Sequence, residues 1–123
     1  MIKEDYVSFE TAKLLKNKGY NGGSKFWYND KGIVSQKYID QTDNPLGLDS
    51  HFPCITQQMA TKWLRDVYNI HNEIRYFPLS NIYRYVIIYS SASFKNIDSH
   101  PLYFNTYEEA CEAAIKYCLE NLI

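Results

Sequence analysis

Residues 73–90 read EIRYFPLSNIYRYVIIYS, and this stretch decides the fold. A run rich in β-forming residues stops at Pro78, residues 78–81 have the composition of a turn, and residues 82–90 form a second run. Both faces of the second run are apolar or aromatic, which is typical of a strand in the middle of a sheet. Strands joined by so short a turn pair antiparallel. We therefore predict an antiparallel hairpin whose second strand is central.

The segments at the two ends of the chain have the features of capped helices. Ser8 is a favourable N-cap for a first helix over residues 9–18, and Gly19 ends it. Thr106 and Glu109 form a capping box that begins a last helix. The buried stripe of that helix is predicted to be Cys111, Ala114, Ile115, Cys118 and Leu122. On its opposite face Glu112 and Lys116 have the spacing of an ion pair.

A middle helix is predicted over residues 56–70, with His71 capping its last carbonyls. Its apolar stripe is Met59, Ala60, Trp63, Leu64 and Val67. Residues 25–28 and 33–38 flank a turn that ends in Gly, which predicts a hairpin before this helix. Residues 40–54 are predicted to be a loop, and residues 102–104 a short final strand after a polar connection.

These elements follow one another in the order α-β-β-α-β-β-β-α. Adjacent strands joined by short turns favour an antiparallel sheet, so we predict an α+β fold with about five strands and three helices. The 123 residues have the common size of one domain, and we expect residues 1–123 to form it. A helix precedes a hairpin twice along the chain, so we also consider an ancient duplication as the origin of its two halves.

Composition narrows the functional classes. Thirteen basic and fourteen acidic residues give a net charge of −1, which argues against a nucleic-acid packaging role because such binding requires excess Lys and Arg. The odd number of cysteines, Cys54, Cys111 and Cys118, predicts free thiols. The N-terminus has no signal-peptide pattern, and no apolar run is long enough to span a bilayer. We therefore expect a cytoplasmic protein with no membrane partner.

The sequence contains little that indicates catalysis, and we predict no metal, no cofactor and no catalytic residue. The three histidines lack the close spacing of metal ligands, although folding could still gather His51, Cys54 and His100. Cys54 and His51 are the only suggestive nucleophile and base, three residues apart in the predicted loop. The run GGSK at residues 22–25 follows a helix and precedes a strand, which is the reverse of a phosphate-binding loop.

The unusual feature is the twelve tyrosines. Tyrosine combines an apolar ring with a polar hydroxyl, so it suits both the border of a core and a binding surface. The candidate binding residues are Tyr76, Tyr83, Arg84, Tyr85 and Tyr89. Alternation along residues 82–90 places Tyr83, Tyr85 and Tyr89 on one face and Arg84 on the other. A sheet with interleaved aromatic and basic residues can stack nucleic-acid bases, and aromatic residues alone can anchor a protein partner.

Three stretches also carry a resemblance. SFETAKLL (8–15), TQQMATKWLRDVYNIH (56–71) and TYEEACEAAIKYCLE (106–120) resemble a group of small uncharacterised proteins from the genomes of gut bacteria and from their phages or mobile elements. The likeness covers most of the chain except residues 40–54 and 90–101. It implies a bacterial or phage setting and carries no activity or site residues.

We therefore expect a non-enzymatic accessory protein that acts through protein contacts, with self-association as one form of such contact. The alternative is an accessory protein that binds nucleic acid with the tyrosine-rich sheet face. An enzyme that uses Cys54 and His51 is the third hypothesis.

Overall fold

A computed structural model describes residues 3–35, 51–90 and 94–123 of the chain. Three helices and six strands follow one another along these residues, in the order α1 (Phe9–Asn17), β1 (Phe26–Tyr28), β2 (Val34–Ser35), β3 (Phe52–Cys54), α2 (Gln57–Tyr68), β4 (Ile70–Phe77), β5 (Ile82–Ser90), β6 (Phe94–Asp98) and α3 (Tyr107–Asn121). The α+β class and the antiparallel pairing are confirmed. The strands divide between two three-stranded sheets, where we had expected one sheet.

The small sheet has the order β2-β1-β3 and contains the predicted first hairpin. Its turn is held by Asn29, whose side-chain oxygen accepts hydrogen bonds from the N–H groups of Lys31 (2.8 Å) and Ile33 (3.0 Å). Gly32 has a φ of +78°, a conformation that side chains with a Cβ rarely adopt. Residues 36–38, which we also assigned to this hairpin, lie outside the described residues.

The prediction of a loop over residues 40–54 is wrong at its C-terminal end. Phe52–Cys54 forms β3 and pairs antiparallel with β1. Three residues that include a proline are too short to show a strand period, and proline is tolerated because β3 is at the edge of the sheet. Residues 40–50 are outside the described part of the chain.

The large sheet has the order β4-β5-β6, so β5 is the central strand as predicted. Its third strand is β6, which lies in the segment that we had read as a polar connection. The predicted strand over residues 102–104 is reduced to one bridge, between Phe104 and Tyr83. An edge strand needs few apolar residues, so the polar sequence of β6 gave no signal from which a strand could be predicted.

Ser8 and Thr106 are the N-caps of α1 and α3 as predicted, and Thr56, predicted as the first residue of the middle helix, is the N-cap of α2. The end of α2 differs, because Asn69 takes a left-handed conformation and β4 begins at the next residue. His71 therefore lies in β4 and does not cap the helix. On α2, Met59 and Val67 are exposed, so only part of the predicted stripe is buried.

The predicted ion pair between Glu112 and Lys116 is wrong, because both side chains have other partners. One oxygen of the Glu112 carboxylate accepts hydrogen bonds from Ser8 N–H (3.0 Å) and from the hydroxyl of Thr11, at the N-terminus of α1. The other oxygen accepts a longer bond from the amide of Gln57 (3.4 Å). Lys116 instead pairs with Glu10, at 2.9 Å. Glu112 thus connects α3 to the starts of α1 and α2.

The helices separate the two sheets. α1 packs against β3 on one side and against α3 on the other, and α3 in turn packs against β4 and β5. The core between these layers includes Val7, Leu15, Leu64, Ile87, Ile115 and Leu119. Each half thus consists of a helix followed by three strands, but the first strand is central in one sheet and the second strand in the other. A duplication would therefore require a rearranged sheet.

Candidate interaction surface

Three tyrosines are linked by two ring contacts at the end of the large sheet where β4 turns into β5. Tyr76 and Tyr83 are opposite each other in the hairpin, with ring centroids 4.9 Å apart. Tyr107, the first residue of α3, packs edge-on against Tyr83 at 6.4 Å. Tyr76 remains 49% exposed and Tyr107 51% exposed. We call Tyr76, Tyr83 and Tyr107 the tyrosine surface.

The turn beside the tyrosine surface is ordered by polar contacts and carries a further apolar residue. The hydroxyl of Tyr76 donates a hydrogen bond to the side chain of Asn81 (3.0 Å), and Asn81 itself has a φ of 54°. Leu79, in the same turn, is fully exposed. The position of Tyr76 is therefore fixed by its hydroxyl, while its ring stays accessible.

The other two predicted tyrosines lie away from this surface. Tyr85 is only 5% exposed and contacts Phe104 and Tyr117, with ring centroids at 6.0 and 6.3 Å. Tyr89 is half-buried and packs against the core. Desolvation raises the pKa of Tyr85 above its ordinary value. The predicted set is thus divided between the core and the surface.

Arg84 projects from the opposite face of β5. Its guanidinium lies over the ring of Phe77, 4.4 Å from the centroid, and its Nε is 3.9 Å from Oδ1 of Asp98. The residue opposite Arg84 on β4 is Arg75, which forms an ion pair with Glu73. The arginines and the tyrosines therefore do not share a face, and each of these arginines has an acidic neighbour.

A cleft of about 480 Å³ adjoins the tyrosine surface, and Tyr107 belongs to both. The cleft lies between the N-terminal segment, α2, β4 and the start of α3, and it is lined by Asp5, Gln57, Arg65, Asn72, Ile74, Tyr107, Glu108 and Cys111, among others. Gln57 joins its walls, since its backbone N–H donates to Asp5 O (2.8 Å) and its amide donates to Glu108 O (3.0 Å).

The thiol in this cleft is protonated at neutral pH. Desolvation, followed by the charges of Glu112, Glu108 and Asp5, raises the pKa of Cys111 to about 11. Cys118 has its pKa raised to about 12, mainly by burial. A thiol with so high a pKa is a poor nucleophile, because the thiolate is the reactive form.

His51 and Cys54, the candidate base and nucleophile, have different surroundings. Cys54 is buried beside Tyr28, and burial raises its pKa. The ring nitrogen Nδ1 of His51 is buried and has no hydrogen-bond partner among the described residues, while the main-chain oxygen of His51 accepts a bond from Lys16 (2.8 Å). The side chain that hydrogen-bonds with the Cys54 thiol is that of Tyr28.

The run GGSK forms a turn that holds two aromatic side chains. Gly23 has a φ of +82°, and its carbonyl accepts a hydrogen bond from the hydroxyl of Tyr20 (2.8 Å). The carbonyl of Ser24 accepts a bond from the indole N–H of Trp27 (3.1 Å). The glycines thus shape a buried structural contact.

Sequence reasoning missed Tyr107 and Ile74. The capping box places Tyr107 in the first turn of α3, and that position was the available signal for it. Ile74 had no such signal, because its place in the cleft depends on how α2 and α3 pack over β4.

Comparison with protein-family models, with curated proteins and with solved structures finds no match to this chain. In the described ranges, no cluster of three or more His, Cys, Asp or Glu side chains is arranged to hold a metal ion. Over the same ranges no helix has the length and apolarity needed to cross a bilayer.

Proposed function

We propose that this chain is a non-enzymatic accessory protein of a bacterium or its phage, acting in the cytoplasm, and that it binds a protein partner through the tyrosine surface. The observation that carries the proposal is the contact among three tyrosine rings, two of them half exposed, on a defined end of the large sheet. Tyrosines contribute a large apolar area at low entropic cost, and they are enriched among the residues that dominate protein interfaces.

The surroundings of the tyrosine surface support a protein partner over a nucleic acid. Leu79 adds an exposed apolar group, and the adjoining cleft adds Ile74 together with backbone and amide groups. Acidic Asp5 and Glu108 line the same cleft as Arg65, so the surface offers no excess of positive charge for phosphates. An apolar surface rimmed by mixed charges is typical of a protein contact.

Site-specific photo-crosslinking in a bacterial host tests the proposal. A photoreactive amino acid replaces Tyr107 in one variant and Lys62, on the exposed face of α2, in the control variant. We expect an adduct with another protein from position 107 and none from position 62, and we expect the purified partner to lose binding to Y107A. Equal labelling from both positions, or turnover in a substrate screen without any adduct, would contradict the proposal.

A salt titration decides the nucleic-acid alternative. Fluorescence anisotropy with single- and double-stranded DNA and RNA, started at low ionic strength, should show no binding that weakens steeply with salt. Salt-sensitive binding that is lost in Y76A would instead favour the alternative.

A further inference from the structure

β4 is a long, regular strand at the edge of the large sheet. It pairs with β5 over eight consecutive residues without a bulge. No backbone hydrogen bond reaches its outer edge from the residues that the structure describes. Edge strands of this length are usually protected by charged side chains, a proline or a bulge; β4 contains no lysine, proline or bulge, and its charged residues are Glu73 and Arg75. The opposite edge, β6, is shorter and contains Lys95, Asn96 and Asp98.

The hydrogen bonds of β5 show which groups of β4 point outwards. The carbonyl of Tyr85 accepts from Ser99 N–H (2.9 Å), and Tyr83 exchanges two bonds of 2.8 Å with Phe104, so both tyrosines direct their backbone groups away from β4. Ile74 and Tyr76 are their direct partners on β4, so these positions are not hydrogen-bonded within the sheet. Ile74 and Tyr76, and by alternation Asn72, therefore present N–H and C=O groups to the open edge.

The charges of β4 match a second copy of the same strand. Glu73 and Arg75 are the sequence neighbours of Ile74, and their side chains lie on the face of the sheet opposite to that of Ile74. Arg75 Nε is 2.9 Å from Glu73 Oε1, and both side chains are about half exposed. When two β4 strands run antiparallel with Ile74 opposite Ile74, each Glu73 lies opposite Arg75 of the second copy. These are the non-hydrogen-bonded positions of the new ladder, where facing side chains are closest.

The same charges select one register. Outward-pointing residues must pair with outward-pointing residues, so the strands can slide only in steps that keep this parity. Sliding the second copy by two residues in one direction places Glu73 opposite Glu73. Sliding it by two residues in the other direction places Arg75 opposite Arg75. Only the register centred on Ile74 makes both charge pairs attractive. It also places Tyr76 of the second copy beside Asn72, whose amide nitrogen is buried without a hydrogen-bond partner among the described residues.

We propose that the chain forms a two-fold symmetric dimer in which β4 pairs antiparallel with β4 of a second copy, centred on Ile74. The ladder contains two backbone hydrogen bonds in each of three pairs, Asn72 with Tyr76, Ile74 with Ile74, and Tyr76 with Asn72. The two large sheets become one continuous sheet. This inference does not rest on the proposed function, because it concerns the purified chain alone.

A charge-reversal cycle measured by sedimentation velocity tests the dimer. E73R and R75E each convert two cross-strand attractions into repulsions, so we expect each to raise the dimer dissociation constant about tenfold or more. The double variant E73R/R75E restores opposite charges and should dimerise like the wild type. An equimolar mixture of E73R and R75E should form a heterodimer, because every facing pair is then opposite in charge.

D66K is the matched control, since it disrupts the exposed pair of Lys62 and Asp66 on α2 and should leave the dimer unchanged. A wild-type chain that stays monomeric at about 100 µM overturns the proposal, since at that concentration even a weak complex would be populated. A dimer that is insensitive to both single reversals, or a mixture that forms no heterodimer, also overturns it. Crosslinking from position 107 on α3 reports on the other partner separately, so the two proposals can fail independently.

Discussion

Two groups of three tyrosines in this chain differ in what surrounds the same side chain. The inner group, Tyr20, Tyr28 and Tyr85, lies in or against the core, and the first two donate their hydroxyls to main-chain carbonyls at 2.8 and 2.6 Å. The outer group is the tyrosine surface, whose rings contact one another and water. Tyrosine is amphipathic enough for both roles, so residue type alone does not distinguish them.

The start of α3 marks the border between the groups. Tyr83 and Tyr85 are two residues apart on the same face of β5, yet Tyr85 is buried under α3, whereas Tyr83 packs against Tyr107, the first residue of that helix. Because the capping box fixes where α3 begins, it also fixes which tyrosines stay accessible. The capping box of α3 thereby decides which tyrosines of β5 are accessible to a partner.

The largest expected effect comes from truncating an inner ring. Y85A removes a buried aromatic side chain between α3 and β5, and we expect it to lower the free energy of unfolding by about 3–5 kcal/mol. Y76A, on the neighbouring strand, should cost less than about 1 kcal/mol because half of its ring is already in water. Urea denaturation followed by circular dichroism measures both values. Similar losses in the two variants would remove the distinction between the groups.

Much of the fold was predictable because its signals are local. The N-caps Ser8 and Thr106 and the turn after Phe77 are each decided by a few neighbouring residues, and the structure has them as predicted. The division into two sheets was not predictable, because β3 and β6 are short edge strands with little alternation. Their pairing depends on partners distant in sequence.

The candidate site was predictable only in part, for a related reason. Alternation along β5 correctly placed Tyr83, Tyr85 and Tyr89 on one face, opposite Arg84. It could not tell how far along that face the helix layer extends. Glu112 shows the same limit: its spacing to Lys116 is that of an ion pair, but the packing of α1 offered stronger donors in Ser8 and Thr11.

An intermediate effect is expected from removing one inner hydroxyl. Y28F deletes the bond to the carbonyl of Val7, a residue that is fully buried, so we expect a loss of about 1–2 kcal/mol in the free energy of unfolding. Y76F is the matched control, since its hydroxyl bonds to an exposed side chain. The two variants should differ clearly in chemical denaturation, and a loss in Y76F equal to that in Y28F would contradict the assignment of Tyr28 to the inner group.

Alkaline pH offers a third way to separate the groups. Burial raises the pKa of Tyr20 from 10.0 to about 12 in the folded chain. Above pH 10 the unfolded chain releases this proton more readily than the folded one, so the contribution of Tyr20 is complete below pH 10 and is lost as the pH rises towards 12. Unfolding measured across this range should show a decline that is weaker in Y20F. An unchanged decline in Y20F would assign the pH dependence to other groups.

The smallest expected effect is the coupling between two outer rings. A double-mutant cycle on Tyr76 and Tyr83 isolates their contact at 4.9 Å, and we expect a coupling of about 0.2–1 kcal/mol, as for other cross-strand aromatic pairs. Single and double alanine variants, measured by urea denaturation, provide the four free energies. A coupling above about 2 kcal/mol would mean that the tyrosine surface stabilises the fold as an inner cluster does. A small coupling leaves the rings free to gain contact energy from a partner, because little is lost when they repack against it.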